Sequence, residues 1–145
     1  MTRWLALAIV ASTASVAGAQ PRQPGWEVRV ADQVAIAPGE SGSISIAIAV
    51  DRGLTVSKDA SVLVDVLPAP GVTIRKRRLV RTDSVDPEAD APRFAVPVKA
   101  DTTGEHTVKV RVRFWVCGGK VCKPVDVRRQ AVVTVAAPAP PGQAP

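Results

Sequence analysis

Residues 107–114 read Thr-Val-Lys-Val-Arg-Val-Arg-Phe, so that branched or aromatic residues alternate with polar or charged ones. Successive side chains of a β-strand point to opposite faces, and this alternation is typical of a strand with one face in a core and the other in solvent. Residues 43–50 alternate in the same way, with small or polar residues between branched ones. No long stretch has the period of an amphipathic helix, and we therefore predict an all-β chain.

Shorter segments of the same character accompany these two strands. The further candidates are residues 27–30 with 34–36, 62–67, 72–79, 94–99 and 121–135. Turn signals rich in proline, glycine and aspartate separate them, at residues 37–39, 51–53, 68–71, 86–88 and 101–104. About seven short strands at this spacing predict an immunoglobulin-like β-sandwich.

The N-terminus has the pattern of an export signal. Arg3 precedes an apolar stretch over residues 5–16, and a small-residue cleavage site follows at residues 17–19. We expect residues 1–19 to be a signal peptide cleaved after Ala19, and the mature chain to be periplasmic or secreted. No segment beyond Gln20 approaches the roughly 20 apolar residues of a membrane-spanning helix.

The mature chain divides into one domain with polar or proline-rich ends. We predict a disordered lead-in at residues 20–25, a domain at 26–136 and a disordered Pro/Ala-rich tail at 137–145. A domain of about 110 residues can bury around two-thirds of its unfolded surface. It therefore needs no metal or set of disulfides in order to fold.

Cys117 and Cys122 are the only cysteines in the 145 residues. In an exported chain an even count of two predicts one disulfide. Strand parity places both cysteines on the polar faces of two successive strands. A hairpin with its loop at residues 118–121 puts Cys117 opposite Cys122 and Arg113 opposite Asp126, whereas a turn at residues 118–119 would make the bridge diagonal.

The same hairpin register has one unfavourable pair. It places Phe114 opposite Val125 and Val112 opposite Val127, which are apolar pairs, but it also places Arg111 opposite Arg128. Like charges directly across a ladder are destabilising.

The residues leave three interpretations of the cysteine pair open. A bridge that closes about six residues stabilises a hairpin by only about 2 kcal/mol, so stapling is a weak purpose. An outward-facing pair favours thiol–disulfide exchange, and cations at Lys120, Lys123 and Arg113 would lower the pKa of a cysteine thiol. A zinc site would need a fourth ligand beyond the two cysteines and His106, the only histidine, and we predict neither metal nor cofactor.

Residues 104–117, followed by a short loop, Cys122 and Pro124, resemble the N-terminal (alpha) domain of the thiol:disulfide interchange protein DsbD and its relatives. That resemblance implies an immunoglobulin-like domain in which Cys117 and Cys122 are the exchanging pair. It also implies an aromatic shield, here Phe114 or Trp115, and a thioredoxin-like partner as donor or acceptor. The chain differs from the family in its glycine-rich loop, its four-residue cysteine spacing and its lack of tyrosine.

Charged clusters outside the hairpin are weaker candidates. A basic cluster consists of Arg75, Lys76, Arg77, Arg78 and Arg81. It is either a solvated edge that resists strand pairing or a docking patch for an anionic partner. The acidic residues of the following loop lack the spacing of an EF-hand and comprise Asp83, Asp86, Glu88 and Asp90. We expect His106 and Trp26 to have structural roles. Although the net charge is +6, we expect no nucleic acid partner for an exported chain.

The sequence thus predicts an exported thiol–disulfide exchange domain, an electron relay whose catalytic residues are Cys117 and Cys122. It would act with a separate thioredoxin-like protein or membrane reductase, and Cys122 would be attacked first. The alternative is a noncatalytic immunoglobulin-like binding or assembly module with a structural hairpin disulfide. Whether the chain is an enzyme, as a protein-disulfide oxidoreductase, depends on which of the two holds.

Overall fold

A computed structural model describes residues 25–138 and 141–142. The predicted signal peptide, nearly all of the predicted lead-in and residues 139–140 and 143–145 of the predicted tail lie outside these residues. The strands are β1 (Trp26–Val30), β2 (Gln33–Ile36), β3 (Ser41–Val50), β4 (Thr55–Val56), β5 (Leu63–Leu67), β6 (Val72–Thr73), β7 (Arg78–Val80), β8 (Arg93–Ala100), β9 (Gly104–Gly118) and β10 (Val121–Val135). A 3-10 turn, Arg81–Asp83, follows β7.

The strands form two sheets. One has the order β1-β3-β8-β6, and the other has the order β2-β10-β9-β5-β7, with β4 paired to β9 beyond the end of β5. Neighbours are antiparallel except β2 and β10, which run parallel. The first edge segment is divided between the sheets as β1 and β2, and the last hairpin lies within the larger sheet. This is an immunoglobulin-like β-sandwich, as the sequence predicted.

The predicted single strand over residues 72–79 is wrong. Val72–Thr73 pairs with β8 in one sheet, and Arg78–Val80 pairs with β5 in the other. Ile74 and Leu79 are both buried, but an odd spacing of five would put them on opposite faces of one strand. The chain therefore has to cross between the sheets through the basic residues in between.

The core lies between the two sheets and is built from the inward half of each alternating strand. Phe94 of β8 and Phe114 of β9 are its largest members, surrounded mostly by valine and isoleucine. The ring of Trp26 packs edge-on against Phe114, with 5.9 Å between ring centroids. The expected structural role of Trp26 is confirmed. This packing holds the inward face of β9 against the core. The alternate residues of β9 therefore form the outward face of the strand.

Candidate functional site

The β9–β10 hairpin has the register that strand parity predicted. Cys117 faces Cys122, Arg113 faces Asp126, and pairing continues to Gly118 opposite Val121. The reversal is therefore a tight turn at Gly119 and Lys120, and Gly119 has a φ of 59°, which glycine adopts readily. The rival turn at residues 118–119 is not formed.

The two cysteines are joined by a disulfide with an S–S distance of 2.05 Å and a Cα–Cα distance of 4.1 Å. They differ in surroundings. Cys117 is half-buried because β4 runs along its other side, with Thr55 as its neighbour. Cys122 is exposed, because β10 has no strand beyond it at this level in the described residues. Cys122 is therefore the more accessible half of the bridge.

An exposed apolar surface on the outer face of the hairpin includes the disulfide. Trp115 is 41% exposed and faces Pro124, which is also exposed, one row below the two cysteines. We call the surface made by Trp115, Pro124, Cys117 and Cys122 the hairpin platform. Its β9 side is held in place by β4, since the Ser57 N–H donates to the Trp115 carbonyl at 2.8 Å.

Three of the residues expected to support exchange are directed elsewhere. Phe114 is 2% exposed and belongs to the core, so the expectation that it could shield the sulfurs is corrected. Lys123 follows Cys122 directly, and strand alternation therefore places it on the other face. The Arg113 guanidinium donates to Asp65 at 2.6 Å. Lys120 lies in the exposed turn. The predicted cationic surroundings of the sulfurs are thus only partly assembled.

Ion pairs cover the outer face below the platform. Asp65 of β5 accepts hydrogen bonds from Arg78 and Arg113, each at 2.6 Å. Its pKa lies below the usual value, chiefly because of the hydrogen bond from Arg78. Arg111 binds Asp126 through both carboxylate oxygens, at 2.9 and 2.5 Å, and lowers its pKa too. This diagonal pair offsets the repulsion that the sequence predicted between Arg111 and Arg128.

The basic cluster is dispersed in the structure. Arg75, Lys76, Arg77 and Arg78 are exposed, but Lys76 is bound to Asp83 at 2.6 Å and Arg78 to Asp65. Arg81 is half-buried and donates to four backbone carbonyls, those of Val56, Ser57, Pro87 and Ala89, at 2.9 to 3.3 Å. Arg81 therefore has a structural role, which the sequence did not predict. A docking role for the other four basic residues stays a prediction.

The remaining candidates have local roles. His106 Nε2 lies 2.7 Å from the Thr102 carbonyl, which confirms a satisfied structural histidine. Among the described residues, no three or more His, Cys, Asp or Glu side chains are grouped so as to hold a metal ion. Nor does this part of the chain contain a helix with the length and apolarity needed to cross a membrane.

Comparison with known proteins gives no family for the chain. No family model matches, and no curated protein matches. Among solved structures, the chain is similar to AggA, the major subunit of aggregative adherence fimbriae type I from Escherichia coli, at 10% identity and a TM-score of 0.38, over 77% of this chain and 95% of that one. It is also similar to murine CRIg, at 11% identity and a TM-score of 0.42, over 77% and 98% of the two chains. The CooA pilin subunit of enterotoxigenic Escherichia coli has 12% identity and a TM-score of 0.35, over 79% and 100%. These values assign no function.

Proposed function

We propose that this chain is an exported immunoglobulin-like binding or assembly module, in which the Cys117–Cys122 bridge is structural and the hairpin platform contacts a partner. The observation that carries this proposal is the exposed Trp115 on a strand held by pairing on both sides. Tryptophan is among the residues that most often dominate binding energy at protein interfaces. Export rests on the N-terminal pattern of residues 1–19.

The platform has the composition of an interface rather than that of an activated thiol site. An apolar centre of Trp115, Pro124 and the disulfide is bordered on the same face by the ion-paired Arg113 and Arg111. Interfaces commonly combine an apolar centre with a polar rim that contains arginine. By contrast, two of the three cations that would stabilise a thiolate are directed away from the sulfurs, since Arg113 binds Asp65 and Lys123 lies on the other face. The geometry therefore supports binding better than exchange.

Photo-crosslinking tests the binding proposal. We expect a photoreactive phenylalanine analogue at Trp115, in the full chain expressed in its native host, to crosslink one discrete partner. The same group at Lys99, an exposed residue of the other sheet, is the control and should capture none. In a direct assay with the captured partner, Trp115→Ala should weaken binding about tenfold or more.

Variants without the cysteines show whether a crosslink from Trp115 reflects noncovalent binding or disulfide exchange. The captured partner should be the same in the double variant Cys117→Ser/Cys122→Ser, because noncovalent binding at the platform requires no thiol–disulfide exchange. Capture that disappears with the cysteines would contradict the binding proposal. Equal capture from Trp115 and Lys99 would do the same.

The second candidate function is thiol–disulfide exchange, and the exposure of Cys122 favours it. A thiolate of a dithiol partner would attack the Cys122 sulfur, and Cys117 would leave as a thiolate. The second thiol of the partner would then displace Cys122 from the mixed disulfide. The partner is thereby oxidised to its disulfide, and the pair in this chain is reduced by two electrons. The DsbD-like sequence of the hairpin supports the same candidate.

Redox equilibration separates the two candidates. Exchange predicts a reduction potential above about −250 mV, whereas a structural bridge should lie below about −300 mV. Exchange also predicts that Cys117→Ser, which frees the exposed Cys122, traps more mixed disulfide in the native host than Cys122→Ser does. A low potential together with no trapped species in either variant counts against exchange.

A further inference from the structure

The outer edge of β10 is unpaired over most of its length. β9 covers one side of β10 completely, but β2 pairs with the other side only from Val132 to Val135. In the described residues, no other strand borders β10 between Val121 and Ala131. We call the stretch from Cys122 to Gln130 the β10 edge.

The backbone direction along this edge follows from the disulfide. A Cα–Cα distance of 4.1 Å between Cys117 and Cys122 marks a non-hydrogen-bonded pair, whose N–H and C=O groups point away from the partner strand. Ten residues along, the N–H of Val132 has the same parity and donates outward to the Asp32 carbonyl at 2.8 Å. Pro124 also has this parity, so its missing N–H removes no bond from the β9 ladder.

The β10 edge therefore presents a row of open backbone groups. The N–H groups of Asp126, Arg128 and Gln130 point outward, as does that of Cys122 beyond the gap left by Pro124. Among the side-chain hydrogen bonds of the described residues, one reaches this row, from Arg129 Nη1 to the Arg128 carbonyl at 2.9 Å. Unpaired strand edges of this kind accept an extended segment as an additional strand.

The charges along the edge are mostly positive. Four cations lie in the turn and in β10, namely Lys120, Lys123, Arg128 and Arg129. None of the four has a salt bridge in the described residues. The one carboxylate within the edge, Asp126, is already bound by Arg111. An incoming strand with acidic side chains would therefore meet unpaired cations.

An open cleft adjoins the lower half of the β10 edge at Arg128, Arg129 and Gln130. From there it extends to residues 27–30 and Asp32, and across β9 to β5 and β7. Glu27, the first acid of this lining, is bound by Arg29 at 2.8 Å. The other acids of the lining are Asp32 and Asp65, and Asp65 is bound by Arg78 and Arg113.

We propose that the β10 edge binds an extended, acidic segment of a partner protein, which adds to the larger sheet as a strand next to β10. The proposal rests on the binding function proposed above, since the hairpin platform shares Cys122 and Pro124 with this edge. It adds the chemistry of the partner, namely acidic side chains on an extended backbone. A second copy of this chain fits less well, because its own β10 would bring lysine and arginine against lysine and arginine.

A peptide titration with amide hydrogen exchange tests this proposal. The probe is a fluorescent peptide of roughly eight residues, a usual strand length. Pairs of Glu alternate in it with pairs of Val or Thr, so that both faces of the added strand carry Glu. We expect it to bind the mature chain, and a peptide with Lys in place of Glu not to bind. Binding should slow amide exchange at Asp126, Arg128 and Gln130 about tenfold or more, because these amides gain acceptors.

Matched variants locate the contact. Lys123→Glu/Arg128→Glu should weaken peptide binding about tenfold or more, whereas Arg93→Glu, an exposed change on the other sheet, should alter it less than about twofold. Gln130→Pro should also weaken binding, since it removes one outward N–H and leaves the β9 ladder intact. A thermal melt of each variant shows that the fold is retained.

Three outcomes would overturn the proposal. Peptide binding without slower exchange at the three amides indicates contact by charge alone. Protection that is present before the peptide is added, and is lost on deletion of residues 20–24, assigns the edge to the chain's own leading segment. Protection that increases with protein concentration assigns it to a second copy. Crosslinking from Trp115 is independent of all three, so failure here leaves the platform proposal standing.

Discussion

Replacement of Arg81 with alanine is expected to lower the free energy of unfolding by about 3 kcal/mol, since hydrogen bonds from a charged donor each contribute about 1.5 to 3 kcal/mol and solvation of the freed carbonyls offsets part of the loss. The guanidinium binds two carbonyls at the end of β4 and two in the loop at residues 87–89. Removal takes the Arg81 donor from four carbonyls that lie around a half-buried side chain. Chemical denaturation measures the change.

The loss should be concentrated around β4. The Val56 N–H donates to the Asp90 carbonyl, and the Ser57 N–H donates to the Trp115 carbonyl, both at 2.8 Å. Arg81 binds the carbonyls of the same two residues, so it joins the loop to the strand that borders Cys117. In Arg81→Ala we therefore expect the amides of Val56 and Ser57 to exchange about tenfold faster or more, relative to amides in β3.

Arg77 provides the matched control for Arg81. It belongs to the same basic run but is exposed, and its side chain has no hydrogen bond in the described residues. Arg77→Ala should change stability by less than about 0.5 kcal/mol. Equal effects of the two variants would show that charge, and not the carbonyl contacts, sets the contribution of Arg81.

The hairpin could be predicted from sequence because two constraints act on it together. Alternation in both arms fixes which residues face the core, and the facing cysteines fix the register between the arms. Once Cys117 faces Cys122, the other pairs follow, including Arg113 opposite Asp126. The immunoglobulin-like order of the strands is consistent with this, since its last hairpin lies inside one sheet.

The structural role of Arg81 and the β4 strand could not be predicted in the same way. The Val56 carbonyl lies 25 residues from Arg81 in sequence, and no local pattern links them. Arg81 follows a run of basic residues, so its charge indicates a solvated cluster rather than a half-buried contact. β4 is two residues long, too short to show an alternation of its own. Both features depend on tertiary contacts that strand periodicity does not encode.

The assignment of Phe114 as a possible shield was a different kind of error. It relied on closeness in sequence to Cys117, although the alternation of β9 already put Phe114 on the core face. Trp115, the next residue, lies on the face of the sulfurs. Strand alternation predicts which side chains share a face with the sulfurs, and closeness in sequence does not, because neighbouring residues of a strand lie on opposite sides of the sheet.

The two aromatic residues should therefore differ sharply when each is replaced with alanine. Phe114→Ala is expected to cost about 4 kcal/mol of stability, because it removes a buried ring and leaves a cavity beneath Trp26. Trp115→Ala should cost less than about 1 kcal/mol, since its ring is partly in solvent and supports no core packing. Denaturation curves with equal slopes measure both values. Similar losses of stability for the two variants would mean that Trp115 is packed against the domain and not available to a partner. A large difference means that the Trp115 side chain contributes little to the stability of the fold and is available for binding.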